Sequence, residues 1–195
     1  MKIYFIRHGE AIDDVEDRYG GWADFPLSSR GVEQARETGQ KLKSRGVTAE
    51  AILTSPFKRA HQTAEEIGKI LGLPVETSVY LKERNTYGLL CGERKDEAKE
   101  KYPDLVSAYE NDEPVAGYEP YEAFLERVKK LVELLPSLGY ETLICVTHGK
   151  LLKAFLNDVV GGREVEELGD GCIVAVELTE DGGLKILNTE GVTFK

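Results

Sequence analysis

With 195 residues, of which 41% are hydrophobic and 31% charged, the chain is long enough for one globular domain with a sizeable core. The formal net charge of -10 argues against nucleic acid or an anionic membrane surface as a partner, because both require a basic face. The first apolar run is too short for a signal peptide or a membrane span, so we expect a cytoplasmic protein.

An apolar strand is predicted at the N-terminus, where Ile-Tyr-Phe-Ile runs into Arg7, His8 and Gly9. Arg7 offers a planar fork suited to phosphate or carboxylate, and His8 a nucleophilic or proton-transferring nitrogen. Gly9 offers a backbone that a ligand can approach closely. Taken alone, the same residues also fit a strand end with two polar side chains facing water.

The remaining elements alternate between helix and strand. A long connection rich in Asp, Gly and aromatic residues follows the first strand, and loops of this length are often functional. In chain order the predictions are a loop over 10–29, a helix capped by Ser28 or Ser29 and ending near Gly46, a strand at 51–54, a helix ending near Gly72, a short strand over 74–81, a charged helical segment over 94–113 broken at Pro103, a helix over 119–138, a strand at 142–147, a helix over 149–159, and strands at 172–179 and 184–188.

The strand at 142–147 ends in His148 and Gly149, as the first strand ends in a His-Gly pair. Two parallel strands that end at one sheet edge would place His8 and His148 side by side, where open parallel sheets bind ligands. Arg59, on the helix after the second strand, and Glu83, after the third, fit the same edge.

The two C-terminal strands flank Asp181-Gly182-Gly183, which predicts a hairpin at one edge of the sheet. The predicted fold class is therefore α/β: a three-layer sandwich with a mostly parallel central sheet, helices on both faces and a C-terminal antiparallel hairpin. We expect a single domain over 1–195 with a cap insertion at about 84–118.

Six motifs occur in an order that is typical of one enzyme family. They are Arg7-His8-Gly9-Glu10, Gly21-Trp22-x-Asp24-x-Pro26-Leu27-Ser28, Gly31-x-x-Gln34-Ala35, Ser55-Pro56-x-x-Arg59-Ala60-x-Gln62-Thr63-Ala64, Glu83-Arg84 with Gly88 and Gly92, and His148-Gly149. Over roughly residues 3–156 the chain thereby resembles the histidine phosphatase superfamily, which contains phosphoglycerate mutases and many phosphomonoesterases.

The resemblance implies a catalytic set. His8 would be the nucleophile that forms a phosphohistidine, with its other ring nitrogen fixed by a backbone carbonyl of the following loop. Arg7, Arg59 and His148 would bind the phosphoryl oxygens, His148 as a cation whose pKa the phosphoryl group raises. Glu83 would give a proton to the leaving alkoxide.

Further substrate contacts are expected from Gly21, Arg84 and the Gly149 amide at a helix start. Asp14 stands where many relatives have Asn; it either turns away to pair with Arg18 or reads a hydroxyl or amine of the substrate.

Three further residues near these motifs have an open, an indirect or no role in the predicted site. Lys150 follows His148-Gly149, and its ammonium either helps the pocket to bind further anionic groups or points to solvent. Glu10 is expected as an orienting carboxylate behind the site, and His61 as an ordinary exposed residue.

No metal is implied, because two of the three histidines are already assigned to the predicted site together with arginines, and no ligand set at zinc spacing is left. No cofactor is expected either, except a 2,3-bisphosphoglycerate primer if the enzyme is a mutase. The predicted partner is a small phosphorylated substrate, with neither nucleic acid nor membrane, and the sequence leaves a homo-oligomer open.

Three functions are weighed. Hydrolysis of a phosphomonoester is favoured, because residues 110–122 of the insertion are acidic where mutases carry paired arginines. The alternative is a phosphoglycerate mutase. A non-catalytic module that binds phosphorylated partners is the least favoured, since nucleophile, acid and cations are all present.

Overall fold

The computed structural model describes residues 1–195, and its strands form one sheet. The strands are β1 (Lys2–Arg7), β2 (Ala51–Thr54), β3 (Val75–Thr77), β4 (Thr142–Thr147), β5 (Val165–Leu178) and β6 (Leu184–Phe194). Their order across the six-stranded sheet is β3-β2-β4-β1-β5-β6. Neighbours from β3 to β1 are parallel, whereas β5 is antiparallel to β1 and β6 to β5. The predicted fold class, including the hairpin at the edge, is confirmed.

Seven α-helices connect the strands: α1 (Ile12–Val15), α2 (Ser29–Ser44), α3 (Lys58–Leu71), α4 (Lys95–Lys101), α5 (Pro103–Glu110), α6 (Tyr121–Leu134) and α7 (Gly149–Ala154). Single turns of 3-10 helix lie at Val79–Leu81, Gly88–Leu90 and Leu135–Leu138, and α7 continues as a π-helical turn over Phe155–Val160. Pro103 opens α5 at its first position, where a missing N–H costs nothing, so the charged segment forms two helices, as its break at Pro103 predicts.

The helices cover both faces of the sheet because side chains alternate along each strand. Ile3 and Phe5 of β1 pack into a core with α6 and α7, and Ile6 packs into a second core with α2 and α3. A third, smaller cluster joins Tyr19 of the loop after α1 to α4 and α5. No helix of the chain has the length and apolar character needed to cross a membrane.

Some boundaries differ from those predicted. The strand predicted over 74–81 ends at Thr77, because the chain then turns to bury Leu81, whose carbonyl accepts from the Thr147 hydroxyl at 2.9 Å. β5 begins seven residues before the predicted Cys172, at Val165. In the first half of β5 the pairing with β6 shifts register between Leu168 and Ile173. This irregularity interrupts the alternation of apolar and polar residues that predicts a strand.

Candidate active site

The two His-Gly pairs meet at the carboxyl ends of β1 and β4. Arg7 lies opposite Thr147 in the register of these strands, and the His8 amide donates to the Thr147 carbonyl at 3.0 Å. The rings of His8 and His148 are therefore neighbours, with centroids 4.9 Å apart and an edge-on orientation. The juxtaposition predicted from two distant motifs is present.

His8 is held with one nitrogen engaged and the other turned to Arg59. Its Nδ1 lies 2.7 Å from the Gly9 carbonyl, which can only accept, so Nδ1 carries the proton. Arg59 Nε donates to Nε2 at 3.3 Å. Burial first, and then the charges of Arg59 and Arg7, hold the pKa of His8 well below its usual value. The ring is neutral, with its free electron pair on Nε2.

Two helices clamp the loop after His8. The Gly9 amide donates to the Thr63 hydroxyl of α3 at 3.2 Å. A Cβ at Gly9 would lie 2.5 Å from the Gly31 carbonyl of α2, and one at Gly31 would lie 2.0 Å from the Glu10 carbonyl. The lack of a side chain at Gly9 is therefore required by the close approach of α2, and an approach of a ligand to the Gly9 backbone stays a prediction.

Arg59 is almost fully buried and ties the loop over residues 20–25 to the site. Its Nη1 and Nη2 donate to the carbonyls of Ala23 and Gly21, each at 2.8 Å. The Gly21 carbonyl, in a residue predicted to contact substrate, thus orients the guanidinium. Arg59 therefore reaches His8 with little freedom to move.

Arg7 is oriented from the other side by β5. It donates to the Leu168 carbonyl, and its Nη2 lies 3.2 Å from Asp170 Oδ1. Its buried Nε has no partner in the protein. Burial raises the pKa of Asp170, while the charge of Arg7 opposes that rise. A Cβ at Gly149 would lie 3.5 Å from Arg7 Nε, so the start of α7 is packed directly against this guanidinium.

His148 is fully buried and bonded on one side only. Its Nε2 lies 2.7 Å from the Ser55 hydroxyl, whereas Nδ1 has no partner. Burial, with the charge of Arg59 next, holds the pKa of His148 well below its usual value. Without an anion the ring is neutral, so the cationic form expected from the sequence requires a bound phosphoryl group.

The Glu83 carboxylate lies against the first turn of α7, where the backbone amides have no hydrogen-bond partner within the helix. Its Oε1 accepts from the amides of Arg84 and Leu151 at 2.8 and 3.2 Å, and its Oε2 from that of Lys150 at 3.2 Å. Trp22 donates to the Glu83 carbonyl at 2.7 Å, which joins the loop over residues 20–25 to this segment. The carboxylate is thus fixed on the wall of the cavity described next.

An open cavity of about 420 Å³ lies in front of His8 and Arg59. Its walls carry charges of both signs. The cations are Arg7, Arg18, Arg59, Lys95, Lys150 and Lys153, and the carboxyl groups are Asp13, Asp14, Asp17, Glu83 and Glu166. Positive charge lies beside His8 itself, because Arg59 Nε is 3.3 Å from its ring and the charges of Arg59 and Arg7 both act on it.

The structure places the remaining predicted residues as follows. Asp14 is exposed on the cavity wall, and its Oδ2 accepts from the Ala11 amide at 3.1 Å. The alternative that Asp14 pairs with Arg18 is wrong, because Arg18 Nε binds Glu16 at 2.6 Å. Arg84 lies outside the cavity, with its guanidinium carbon 4.9 Å from the centre of the Tyr121 ring.

Lys150 lines the cavity, and its ammonium lies 4.9 Å from the centre of the Tyr87 ring. Glu10 accepts from Ser28, the N-cap of α2, at 2.5 Å, so it orients the helix behind the site. His61 is half-exposed and lies 3.7 Å from Glu65.

Three residues at the site carry no role in the sequence-based prediction. Ser55 was quoted only as part of a motif, yet it binds His148. Asp170 follows a glycine in β5 and binds Arg7, a contact that no local pattern indicates. Asp13 is buried on the cavity wall, although it stands in a polar loop segment. No group of three or more His, Cys, Asp or Glu side chains is arranged to hold a metal ion.

The chain is similar to characterised families in both sequence and fold. The histidine phosphatase superfamily (branch 1) matches residues 3–188. A 2,3-bisphosphoglycerate-dependent phosphoglycerate mutase of Bradyrhizobium diazoefficiens is 34% identical over 165 residues, which cover 79% of this chain and 78% of the relative. The uncharacterized phosphatase PhoE of Bacillus subtilis is 31% identical over 182 residues, 92% of this chain and 89% of the relative. The alpha-ribazole phosphatase structure from Shigella flexneri shares the fold, with a TM-score of 0.82 at 24% identity over 98% of this chain and 96% of that one.

Proposed function

Because the chain belongs to branch 1 of the histidine phosphatase superfamily, it is a phosphatase or a mutase, and we propose that it is a metal-independent phosphomonoester hydrolase. In this proposal it acts through a phosphohistidine on a small phosphorylated metabolite. The observation that carries the proposal is the state of His8: a neutral ring, protonated at Nδ1, whose Nε2 lies 3.3 Å from the buried guanidinium of Arg59.

In the first step His8 Nε2 attacks the phosphorus atom, and the ester bond to the leaving oxygen breaks. The guanidinium groups of Arg7 and Arg59 are donors set in place beforehand for the phosphoryl oxygens. His148 adds a donor when the anion favours its protonated form. Fixed donors of this kind typically contribute about 10²–10³ in rate each.

The leaving oxygen needs a proton, and the family resemblance assigns its delivery to Glu83. The three amides that bind Glu83 hold its carboxylate at the cavity wall. In the second step water attacks the phosphohistidine and returns the proton to the carboxylate, which regenerates the free enzyme.

Two features of the cavity favour hydrolysis over isomerisation. A mutase must hold a released, carboxylate-bearing product while the phosphoryl group returns to its other oxygen. Of the outer cations, Arg18 is paired with Glu16 and Lys95 with Asp17. The exposed carboxylates of Asp14 and Glu166 face the same space and repel a second anion.

A phosphoglycerate mutase is the second candidate, and one observation favours it. Lys150 and Lys153, three residues apart on α7, line the cavity and make no ion pair with the protein. Two such cations suit the carboxylate of a phosphoglycerate.

A direct comparison of the two activities tests the proposal. Purified protein is given a panel of phosphate esters with chelator present, and in parallel a phosphoglycerate with its bisphosphate primer. We expect release of inorganic phosphate from at least one ester at a rate well above isomerisation. Isomerisation that exceeds phosphate release would assign the chain to the mutases instead.

A further inference from the structure

Asp13 is a cavity carboxyl that the proposed reaction does not use. It stands in α1, is 7% exposed and lines the same cavity as His8 and Arg59. Its Oδ1 is buried without a hydrogen-bond partner, and the carboxyl makes no ion pair. An ionised carboxylate is costly in such a place, because no hydrogen bond to Oδ1 replaces the water that this oxygen has lost.

The other carboxyls of the cavity are differently placed. Glu83 accepts from three backbone amides, and Asp14 from one. Asp17 is paired with Lys95, and Glu166 is exposed. Asp13 differs from them because one of its oxygens is buried without any hydrogen bond, and such burial favours the protonated form of its carboxyl group.

The charges around Asp13 also act on the protonation of its carboxyl group. Burial raises the pKa of Asp13, and the neighbouring Asp14 adds to the rise, while Arg59 and Arg7 oppose it. A bound phosphoryl dianion would neutralise the positive charge of Arg59 and Arg7, and so weaken their effect on the pKa of Asp13. It would also act on the Asp13 carboxyl as a further like charge, so the protonated form gains as substrate binds.

Gly20 makes the space that Asp13 occupies. A Cβ at Gly20 would lie 2.0 Å from Asp13 Oδ2, so the carboxyl rests directly on the glycine backbone. The next residue, Gly21, gives its carbonyl to Arg59 at 2.8 Å. The Asp13 carboxyl is thereby placed one residue away from a contact that orients the phosphoryl-binding guanidinium.

We infer that Asp13, in place of Glu83, gives the leaving oxygen its proton, an inference that rests on the proposed hydrolysis through His8. As His8 Nε2 bonds to phosphorus, the ester bond breaks and its electron pair goes to the leaving oxygen, which takes the proton of the Asp13 carboxyl. Water then attacks phosphorus and gives its proton to the Asp13 carboxylate, and the electron pair of the N–P bond returns to Nε2. Acid and nucleophile are both restored.

The dependence of the reaction on the leaving group tests this role. The quantity measured is the ratio of kcat/KM for butyl phosphate to kcat/KM for para-nitrophenyl phosphate. A poor alkoxide leaving group needs the acid, whereas nitrophenolate does not. We expect Asp13→Asn to lower the ratio by about 10²-fold. The ratio is independent of the fraction of folded protein, so a partly unfolded variant still gives a valid answer.

Two further variants locate the effect. Gly20→Ala should also lower the ratio, because its Cβ displaces the Asp13 carboxyl. Asp17→Asn is the matched control, since Asp17 lines the same cavity but is exposed and paired with Lys95, and it should keep the wild-type ratio.

The inference is overturned if Asp13→Asn keeps the wild-type ratio while Glu83→Gln lowers it. In that outcome the proposed hydrolysis stands with Glu83 as its acid. It is also overturned if Asp17→Asn lowers the ratio as much as Asp13→Asn, since charge alone would then explain the effect. If the wild-type protein releases phosphate from neither ester, the proposed function and the inference fall together.

Discussion

The state of His148, which we propose as a phosphoryl-binding residue, depends on one hydroxyl group. His148 is fully buried, and Ser55 is its one hydrogen-bond partner. The hydroxyl lies 2.7 Å from Nε2 and is itself fully buried, so it fixes both the ring orientation and the nitrogen that stays free. Nδ1 is thereby left as the nitrogen without a hydrogen-bond partner in the protein.

Replacement of Ser55 by alanine should therefore impair catalysis more than folding. We expect Ser55→Ala to lower kcat by about tenfold, because the His148 ring loses its orientation, and to lower the free energy of unfolding by about 1–3 kcal/mol, because Nε2 is left unpartnered. Inhibition by orthovanadate, a mimic of the phosphoryl transition state, should weaken in parallel. Unchanged kcat and vanadate inhibition would show that Ser55 does not position His148.

Sequence reasoning predicted some site residues and not others for a physical reason. His8 and His148 each end a strand, and Arg59 opens a helix, so local patterns place all three at one sheet edge. Asp13 reaches the site from the four-residue helix α1 and Asp170 from an irregular part of β5, and their placement depends on packing against residues distant in the chain. No local pattern carries that information.

At the scale of elements, the loop after β1 is held by the start of α2. The Ser28 side chain accepts from the Gly31 amide at 3.0 Å, as an N-cap, and donates to Glu10 at 2.5 Å. The helix start was predicted from this serine. Its second bond, to Glu10 in the loop after β1, joins the stability of α2 to the placement of His8.

The adjacent serines offer a matched pair of variants. We expect Ser28→Ala to lower the free energy of unfolding by about 1–2 kcal/mol, since it removes a helix cap, whereas Ser29→Ala, an exposed change one residue later, should cost less than about 0.5 kcal/mol. Urea unfolding measures both. Equal losses in the two variants would contradict the capping role.

Strands and helices with clear periodicity were predicted closely, and irregular segments were not. The helix of α3 ends at Leu71, before Gly72 in the left-handed conformation, as its glycine predicts. The loop over 10–29 contains α1, which four residues are too few to reveal. The bulged half of β5 and the short β3 follow tertiary packing rather than local pattern.

At the scale of the whole molecule, an acidic protein holds two buried, neutral histidines side by side at one edge of its sheet. The pKa values of His8 and His148 are both lowered from 6.5 by burial. The unfolded chain therefore takes up protons near pH 6.5 that the folded protein excludes. This part of the stability is complete above that pH and is lost as the pH falls below it.

We expect the free energy of unfolding to decrease between about pH 7.5 and about pH 5.5, by at most about 1.4 kcal/mol per pH unit for each histidine. Asp13 and Asp170, whose pKa values are raised, act in the opposite sense at lower pH. His148→Gln should flatten the slope, and His61→Gln, at a half-exposed position, should leave it unchanged. A wild-type slope in His148→Gln would contradict this account.

The most direct test of the proposed chemistry is to trap the phosphoenzyme. Protein mixed with para-nitrophenyl phosphate and chelator is quenched in alkali, digested, and analysed for an acid-labile phosphate on the peptide that contains His8. We expect the label at His8 alone. We also expect His8→Ala to lose turnover by more than about 10⁴-fold. A label on another residue, or undiminished turnover in His8→Ala, would contradict it.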